Sequence, residues 1–173
     1  MNVELGLMVL RAAIGLIVAA HGAQKAFGWW GGPGIAGWTK ATASMGWNPA
    51  RPWAVLSVVA ELVGGFLLVV GLLTPLASAL VLAQTLVIIL RAHLRNGFWN
   101  GKGGIEYPLT LWLATAAILL AGPGAISLDH ALGLSFGPVG RVAALAVALA
   151  GASAAILWPA HWPMRHPSAP GPA

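Results

Sequence analysis

The stretch LRAAIGLIVAAHGAQKAFG, residues 10–28, joins a long apolar run to a short polar one. Its residues His21, Gln24 and Lys25 follow the spacing i, i+3 and i+4, which places them on one face of a helix. A membrane span needs about 20 mostly apolar residues, and this run is long enough when the residues before it are included. The sequence therefore predicts a membrane helix over residues 5–27 that carries a polar stripe near its end.

The composition of the whole chain also indicates a membrane protein. Of its 173 residues, 58% are hydrophobic and 8% are charged, and the mean hydropathy is +0.83. A soluble domain carries about 25% charged residues, so this chain lacks the polar side chains that would cover a water-exposed surface. It contains no cysteine, which excludes disulfides, thiolate metal sites, iron–sulfur clusters and thiol nucleophiles.

Four further apolar segments follow the first one. They predict spans over residues 53–73, 76–94, 107–121 and 139–158. We therefore expect an all-α, multi-pass transmembrane helical bundle whose first span is retained and is not a cleaved signal peptide. The proline-rich residues 159–173 are predicted to be a disordered tail.

The first long loop contains the segment GIAGWTKATASMG, residues 34–46. Its residues Ile35, Trp38, Thr42 and Met45 recur at helical spacing, which predicts a short amphipathic helix in the membrane interface. Such a helix could cover an entrance between the spans, or it could pack there only to satisfy its own backbone. The sequence leaves both alternatives open.

Cationic residues and tryptophans are concentrated on one side of the predicted bundle. With five spans, the loops 28–52 and 95–106 share one side with the tail; we name it side B, and the opposite side is side A. Eight of the nine tryptophans map to side B or its interface, and seven of the nine cationic residues map there too: Lys25, Lys40, Arg51, Arg91, Arg95, Lys102 and Arg165. This distribution favours side B as cytoplasmic. Because the cationic residues lie beside membrane segments, the net charge of +5 indicates positive-inside topology or contact with anionic lipid, and not nucleic-acid binding.

Glu61 is the polar residue that is hardest to explain by packing alone. By helix rise, His21 and Glu61 lie roughly 10 and 12 Å below side B, and Gly64 and Gly65 would let two helices approach closely. A charge within a span costs about 2.5–3.5 kcal/mol unless it is paired. We therefore expect Glu61 to pair with Lys25 or with His21.

Polar residues on the other spans are expected to find partners in the same way. Arg91, His93 and Asn96 on the third span, and Glu106 and Tyr107 on the fourth, all fall near side B. The expected contacts are Glu106 with Arg91 or Arg95, Glu4 with Arg11, and Gln84 with a neighbouring helix.

These residues predict a half-buried polar pocket at side B, suited to a lipophilic ligand with a polar headgroup. His21, Lys25 and Glu61 are its candidate catalytic residues, because they could move protons or polarise a carbonyl. Each also has a plainer explanation, such as helix packing for His21 and snorkelling to the interface for Lys25. The histidines and carboxylates lack a tight ligand spacing, so neither a metal nor haem is expected.

Five motifs of the chain resemble the DoxX family of small bacterial membrane proteins. They are LRAAIGLIVAAHGAQKAFG (10–28), AELVGGFLLVVGLLT (60–74), HLRNGFW (93–99), EYPL (106–109) and GPGAISLD (122–129). The resemblance implies a four-helix membrane domain over residues 1–130, beside which 131–158 would be an additional transmembrane helix. The family's signature positions are occupied by His21, Gln24, Lys25, Glu61, His93, Asn96, Glu106 and Tyr107. Beside the three candidate catalytic residues, the candidate ligand-binding residues are Gln24, Arg91, His93, Asn96, Glu106 and Tyr107.

The resemblance implies a redox setting in the cell's inner membrane. The related DoxD and DoxA subunits form a thiosulfate:quinone oxidoreductase, and DoxX relatives are associated with oxidative-stress complexes. This implies a quinone as the lipophilic ligand and a redox partner subunit, or a bound cofactor, as the source of electrons. Two other hypotheses remain open: a non-catalytic membrane anchor or assembly factor for a redox enzyme, and a small transporter of lipophilic solutes. Association with membrane lipid or with a second copy of the chain is expected in each case.

Overall fold

The computed structural model describes residues 2–158, which contain helices and no strand. The α-helices are α1 Asn2–Phe27, α2 Gly34–Ser44, α3 Ala50–Val70, α4 Thr74–Ile88, α5 Glu106–Ala121, α6 Leu128–Ala131 and α7 Pro138–Leu157. A π-helical segment, Ile89–His93, and a 3-10 turn, Leu94–Asn96, extend α4 towards side B. The predicted tail, residues 159–173, lies outside the described residues.

The structure confirms the predicted all-α, multi-pass membrane bundle. Four helical segments are long and apolar enough to cross a membrane: Asn2–Phe27, Ala50–Val70, Thr74–Asn96 and Pro138–Leu157. The remaining predicted span, α5, is apolar but has 16 residues. At 1.5 Å per residue it is about 24 Å long, which is shorter than the roughly 30 Å hydrocarbon core.

Glycine and proline set the boundaries of the second and third spans. α3 ends at Gly71, whose φ of 66° is a conformation that favours glycine. The last helical residue is therefore Val70, and α3 covers residues 50–70. The sequence predicts 53–73, which is three residues too far along the chain at both ends. Pro52 lies in its first turn, where a backbone N–H would have no helical partner. Pro75 also lies in a first turn, that of α4.

α1, α3, α4 and α5 form the four-helix bundle, in which α1 and α3 approach most closely. A Cβ atom on Gly15 would lie 2.5 Å from the carbonyl oxygen of Gly65, and one on Gly65 would lie 2.7 Å from the nitrogen of Ala19. The two helices therefore meet backbone to backbone, as the glycines after Glu61 predict. The core of the bundle is formed by Ile14, Val18, Leu68, Ala77, Val81, Leu111 and Ile118.

The last helix, α7, packs against α4 beside the bundle. Its buried residues are Ala148 and Ala152, and Ala148 belongs to a second apolar cluster with Ala79, Leu82 and Leu119. Most of the other α7 side chains are exposed, so lipid would cover most of this helix.

The predicted amphipathic helix is present as α2, which packs on α1 and α3. Thr42 is buried on its inner face, whereas Lys40 and Ser44 are exposed, as predicted. Arg91 holds the segment after α2 in place, since its Nη2 donates to the carbonyl oxygen of Met45 at 2.7 Å.

At side A, the loop after α5 folds back onto the α3–α4 hairpin through Asp129. This side chain is fully buried, and its two carboxylate oxygens accept hydrogen bonds from the backbone N–H groups of Leu73 and Thr74, at 2.7 and 2.9 Å. A carboxylate suits this position because the N-terminus of a helix carries a partial positive charge. The short helix α6, which the sequence did not predict, holds Asp129 there.

The predicted pairing of Glu4 with Arg11 is wrong. The Arg11 guanidinium is buried and donates to the carbonyl oxygens of Pro123 and Ile126, the latter at 2.7 Å. Glu4 accepts a hydrogen bond from the backbone N–H of Ala125. Both side chains bind the loop after α5 because its backbone groups lack helical partners and need others.

We predict that Asp129→Ala lowers the midpoint of thermal unfolding in detergent. Two buried backbone N–H groups would lose their acceptor, at a cost of about 1–3 kcal/mol each. Tryptophan fluorescence reports the transition. His130→Ala, at an exposed position next along α6, is the control and should unfold like the wild type. The same midpoint for both variants would contradict this role of Asp129.

Candidate functional site

An ion pair between α1 and α3 lies at the centre of the site near side B. Lys25 Nζ donates to Glu61 Oε1, and the two side chains are 11% and 5% exposed. Gly22 allows this approach, because a Cβ atom there would lie 2.9 Å from the nitrogen of Leu62. The contact is the only ion pair within residues 2–158, and it confirms the predicted pairing of Glu61 with Lys25.

Helix α2 contributes a tryptophan to this ion pair. Lys25 Nζ lies 4.2 Å from the centroid of the Trp38 ring, the geometry of a cation–π interaction. The indole N–H of Trp38 donates to Ser57 Oγ of α3 at 3.2 Å. Trp38 therefore ties α2 to both helices that carry the ion pair, so α2 is part of the site as well as a packing element.

Gln84 of α4 completes the polar network. Its Nε2 donates to Ser57 Oγ at 2.7 Å and lies 3.4 Å from Glu61 Oε1. The interhelical hydrogen bond predicted for Gln84 is confirmed, but the sequence did not predict its position beside Glu61. Ser57 was missed altogether. The available signal was its spacing of one helical turn from Glu61, which places both on one face of α3.

One oxygen of the Glu61 carboxylate has no protein partner. Oε1 accepts from Lys25 and Gln84, whereas Oε2 is buried and makes no hydrogen bond within residues 2–158. Buried polar atoms are nearly always hydrogen-bonded, and an unsatisfied one costs about 1–3 kcal/mol or more when it is charged. Oε2 is therefore the atom of the network at which a ligand or a water molecule would bind.

A second polar contact joins α1 to α5. His21 Nε2 and Tyr107 Oη lie 3.0 Å apart, and the two ring centroids are separated by 5.8 Å. Tyr107 is 38% exposed, so this pair can be reached from outside the bundle. His21 and Lys25 lie about one turn apart on α1, so the His21–Tyr107 pair and the ion pair share one face of that helix, although His21 does not bind Glu61 itself.

Three predicted ligand-binding residues bind the backbone of the connection between α4 and α5. His93 Nδ1 and Asn96 Nδ2 contact the carbonyl oxygen of Gly103, at 2.6 and 3.1 Å. The Glu106 carboxylate accepts a hydrogen bond from the backbone N–H of Asn100 at 2.9 Å. These contacts order the loop, and none of them reaches Glu61.

The predicted pairing of Glu106 with Arg91 or Arg95 is wrong. Arg91 binds the carbonyl oxygen of Met45, and its guanidinium carbon lies 5.0 Å from the Trp47 ring centroid. Arg95 is exposed. The reason is again that loop backbone groups need partners. Arg91 binds a carbonyl group of one side-B loop, and Glu106 binds an N–H group of the other.

Gln24 belongs to the predicted polar stripe but not to the network. Its side chain is partly exposed and makes no hydrogen bond within residues 2–158, and its backbone carbonyl oxygen accepts from the N–H of Gly28 at 3.1 Å near the end of α1. Within residues 2–158, no group of three or more His, Cys, Asp or Glu side chains has the arrangement of a metal site.

We predict that Lys25→Met and Glu61→Gln are each strongly destabilising and that their effects are not additive. Removal of one partner leaves a buried charge uncompensated, at about 3–5 kcal/mol, whereas the double variant leaves none. Unfolding measurements in detergent on the two single variants and the double variant give the coupling free energy. Additive effects would contradict a paired, buried arrangement of the two charges.

Comparison with known proteins identifies the family. The DoxX family model matches residues 6–94, which is more than half of the chain. No curated protein and no solved structure matches it. The matched segment extends from α1 into the turn after α4 and contains Lys25, Glu61, Ser57, Gln84 and His21. The chain is therefore a multi-pass integral membrane protein that belongs to the DoxX family.

Proposed function

We propose that this chain is an integral subunit of a quinone-linked oxidoreductase system in the cytoplasmic membrane, and that a quinone headgroup binds beside Glu61. The observation that carries the proposal is Glu61 Oε2, a buried carboxylate oxygen without a protein partner. The ligand would reach it from the lipid, past the partly exposed His21–Tyr107 pair.

The polar atoms at this place fit a quinone headgroup. Such a ring has carbonyl oxygens that accept hydrogen bonds and, in its reduced form, hydroxyl groups that donate them. Glu61 Oε2 is available to accept from a hydroxyl, and Tyr107 or His21 can donate to a carbonyl. When bound, a quinone supplies the transfer of two electrons and two protons between the membrane and the enzyme.

The protein side chains would hold and move the protons. Lys25 compensates the charge of the Glu61 carboxylate, which allows an acceptor to be kept in an apolar region. Glu61 can take up a proton at Oε2. Tyr107 and His21 form a hydrogen-bonded pair at the partly exposed edge of the bundle, and an imidazole can accept a proton at one ring nitrogen while it donates from the other.

Trp38 and Gln84 act as positioning residues in this proposal. Trp38 contacts Lys25 through its ring and Ser57 through its N–H, and Gln84 binds Ser57 and lies beside Glu61 Oε1. Both fix the ion pair so that Oε1 is occupied and Oε2 remains available. The electrons would come from a redox partner subunit or a cofactor bound with it, because the chain has no cysteine with which to carry them.

We predict that the purified protein binds a short-chain quinone or quinol saturably, as measured by quenching of tryptophan fluorescence. Glu61→Gln should weaken quinol binding by about tenfold or more, because a hydrogen bond to a charged acceptor contributes about 1.5–3 kcal/mol. Glu106→Gln is the matched control, since it makes the same chemical change at a glutamate outside the network. Equal affinities for the wild type and Glu61→Gln, or the absence of saturable binding, would contradict the proposal.

A second candidate function is a membrane anchor that docks a redox enzyme at side B. It is favoured by the exposed aromatic side chains at that end of the bundle, which are Phe27, Trp29, Trp30, Phe98 and Trp99. A soluble enzyme that co-purifies with the chain would distinguish the two functions. Its activity would survive substitution of His21 and Glu61 if the chain is an anchor, and would be lost if their quinone site is used.

A further inference from the structure

A shallow, open depression on the outer face of α3, named the groove below, begins at side B and extends towards the middle of the membrane. It has a volume of about 470 Å³ and is lined by Arg51, Pro52, Val55, Leu56 and Val59. Arg51, Val55 and Val59 follow one another at four-residue intervals, so they share one face of the helix. From Arg51 to Val59 the groove is about 12 Å long, at 1.5 Å per residue.

The inner part of the groove is hydrocarbon-like. Val55, Leu56 and Val59 are 43%, 54% and 44% exposed, and they lie on the side of α3 away from the buried Ala54, Ser57 and Val58. In a membrane such a surface contacts acyl chains, and its length along the helix suits the first part of one chain.

The outer end of the groove carries a positive charge that no side chain within residues 2–158 compensates. Arg51 is exposed, and within residues 2–158 its side chain makes no hydrogen bond, ion pair or ring contact. Glu61, the carboxylate on the same helix, is buried on another face and paired with Lys25. The first turn of α3 has no side-chain cap, so the positive end of the helix dipole adds to the charge of Arg51.

Two tryptophans place this charge at the level of the lipid headgroups. Trp53, two residues after Arg51, packs against Trp158 with ring centroids 5.5 Å apart. Tryptophan side chains prefer the membrane–water interface. The guanidinium of Arg51 therefore lies where phosphate groups are abundant, directly above an apolar groove.

We propose that this groove is a binding site for an anionic phospholipid. Arg51 would bind the phosphate, because a guanidinium donates two parallel hydrogen bonds to it, and an acyl chain would lie along Val55 and Val59. A headgroup with a net negative charge is selected over a zwitterionic one, since within the described part of the chain every carboxylate is engaged elsewhere and none is available beside Arg51 to bind a lipid's ammonium group. The site is distinct from the network around Glu61 and does not rest on the quinone proposal.

The test is lipid retention by the full chain in mixed micelles that contain equal amounts of phosphatidylglycerol and phosphatidylcholine. Native mass spectrometry counts the lipids of each class that remain bound. The wild type should retain phosphatidylglycerol in preference. Arg51→Ala should reduce that preference about fivefold, the effect of one cationic side chain at a lipid surface. Lys40→Ala removes an exposed cation of α2 outside the groove and should leave the preference unchanged.

A second variant separates the groove from general surface charge. Val59→Trp fills the groove but keeps Arg51, and as an exposed substitution it should not disturb the bundle core. It should lower the number of retained lipids of both classes. The proposal is overturned if the wild type shows no preference, if Arg51→Ala and Lys40→Ala behave alike, or if Val59→Trp retains as much lipid as the wild type.

Discussion

The ion pair between Lys25 and Glu61 determines how the side-B half of the bundle is arranged. Each charge alone would be costly in an apolar environment, so both must meet, and α1 and α3 must approach closely for this to happen. Gly22 permits the approach. Trp38 then packs over the ammonium group and Gln84 lies beside the carboxylate, so the positions of α2 and α4 depend on the same pair.

Two buried carboxylates illustrate the difference between the two ends of the molecule. At side A, both oxygens of Asp129 accept hydrogen bonds from backbone N–H groups, and the side chain fixes a loop to a helix terminus. Near side B, Glu61 uses only one oxygen and leaves the other buried without a partner. The first arrangement is complete within the protein and explains stability. The second leaves an acceptor open, which is why we propose the ligand site beside Glu61.

The sequence was sufficient for the architecture and for the central contact. Hydrophobic segments of the required length predicted the spans, because lipid imposes that length on any helix that crosses it. Helix rise gave the depth of Glu61, and the high cost of an unpaired charge then indicated Lys25 or His21 as its partner, of which the structure selects Lys25. These inferences work because the length and rise of a helix are regular, so positions on one helix, or on two consecutive antiparallel helices, follow from the sequence alone.

Inferences about the loops were less successful, for a physical reason. The sequence paired Glu4 with Arg11 and Glu106 with an arginine, because opposite charges attract. In the structure these side chains bind backbone N–H and carbonyl groups of loops, which also need partners but whose positions follow no periodicity. The role of Asp129 was missed for the same reason.

Photolabelling of membranes that contain the full chain with an azido-quinone, followed by peptide mapping by mass spectrometry, tests the assigned ligand site most directly. If the quinone headgroup binds beside Glu61, the label should attach to α1 near His21 and to α5 near Tyr107, and an excess of unlabelled quinone should prevent it. Label confined to other helices, or label that excess quinone does not reduce, would contradict the assignment.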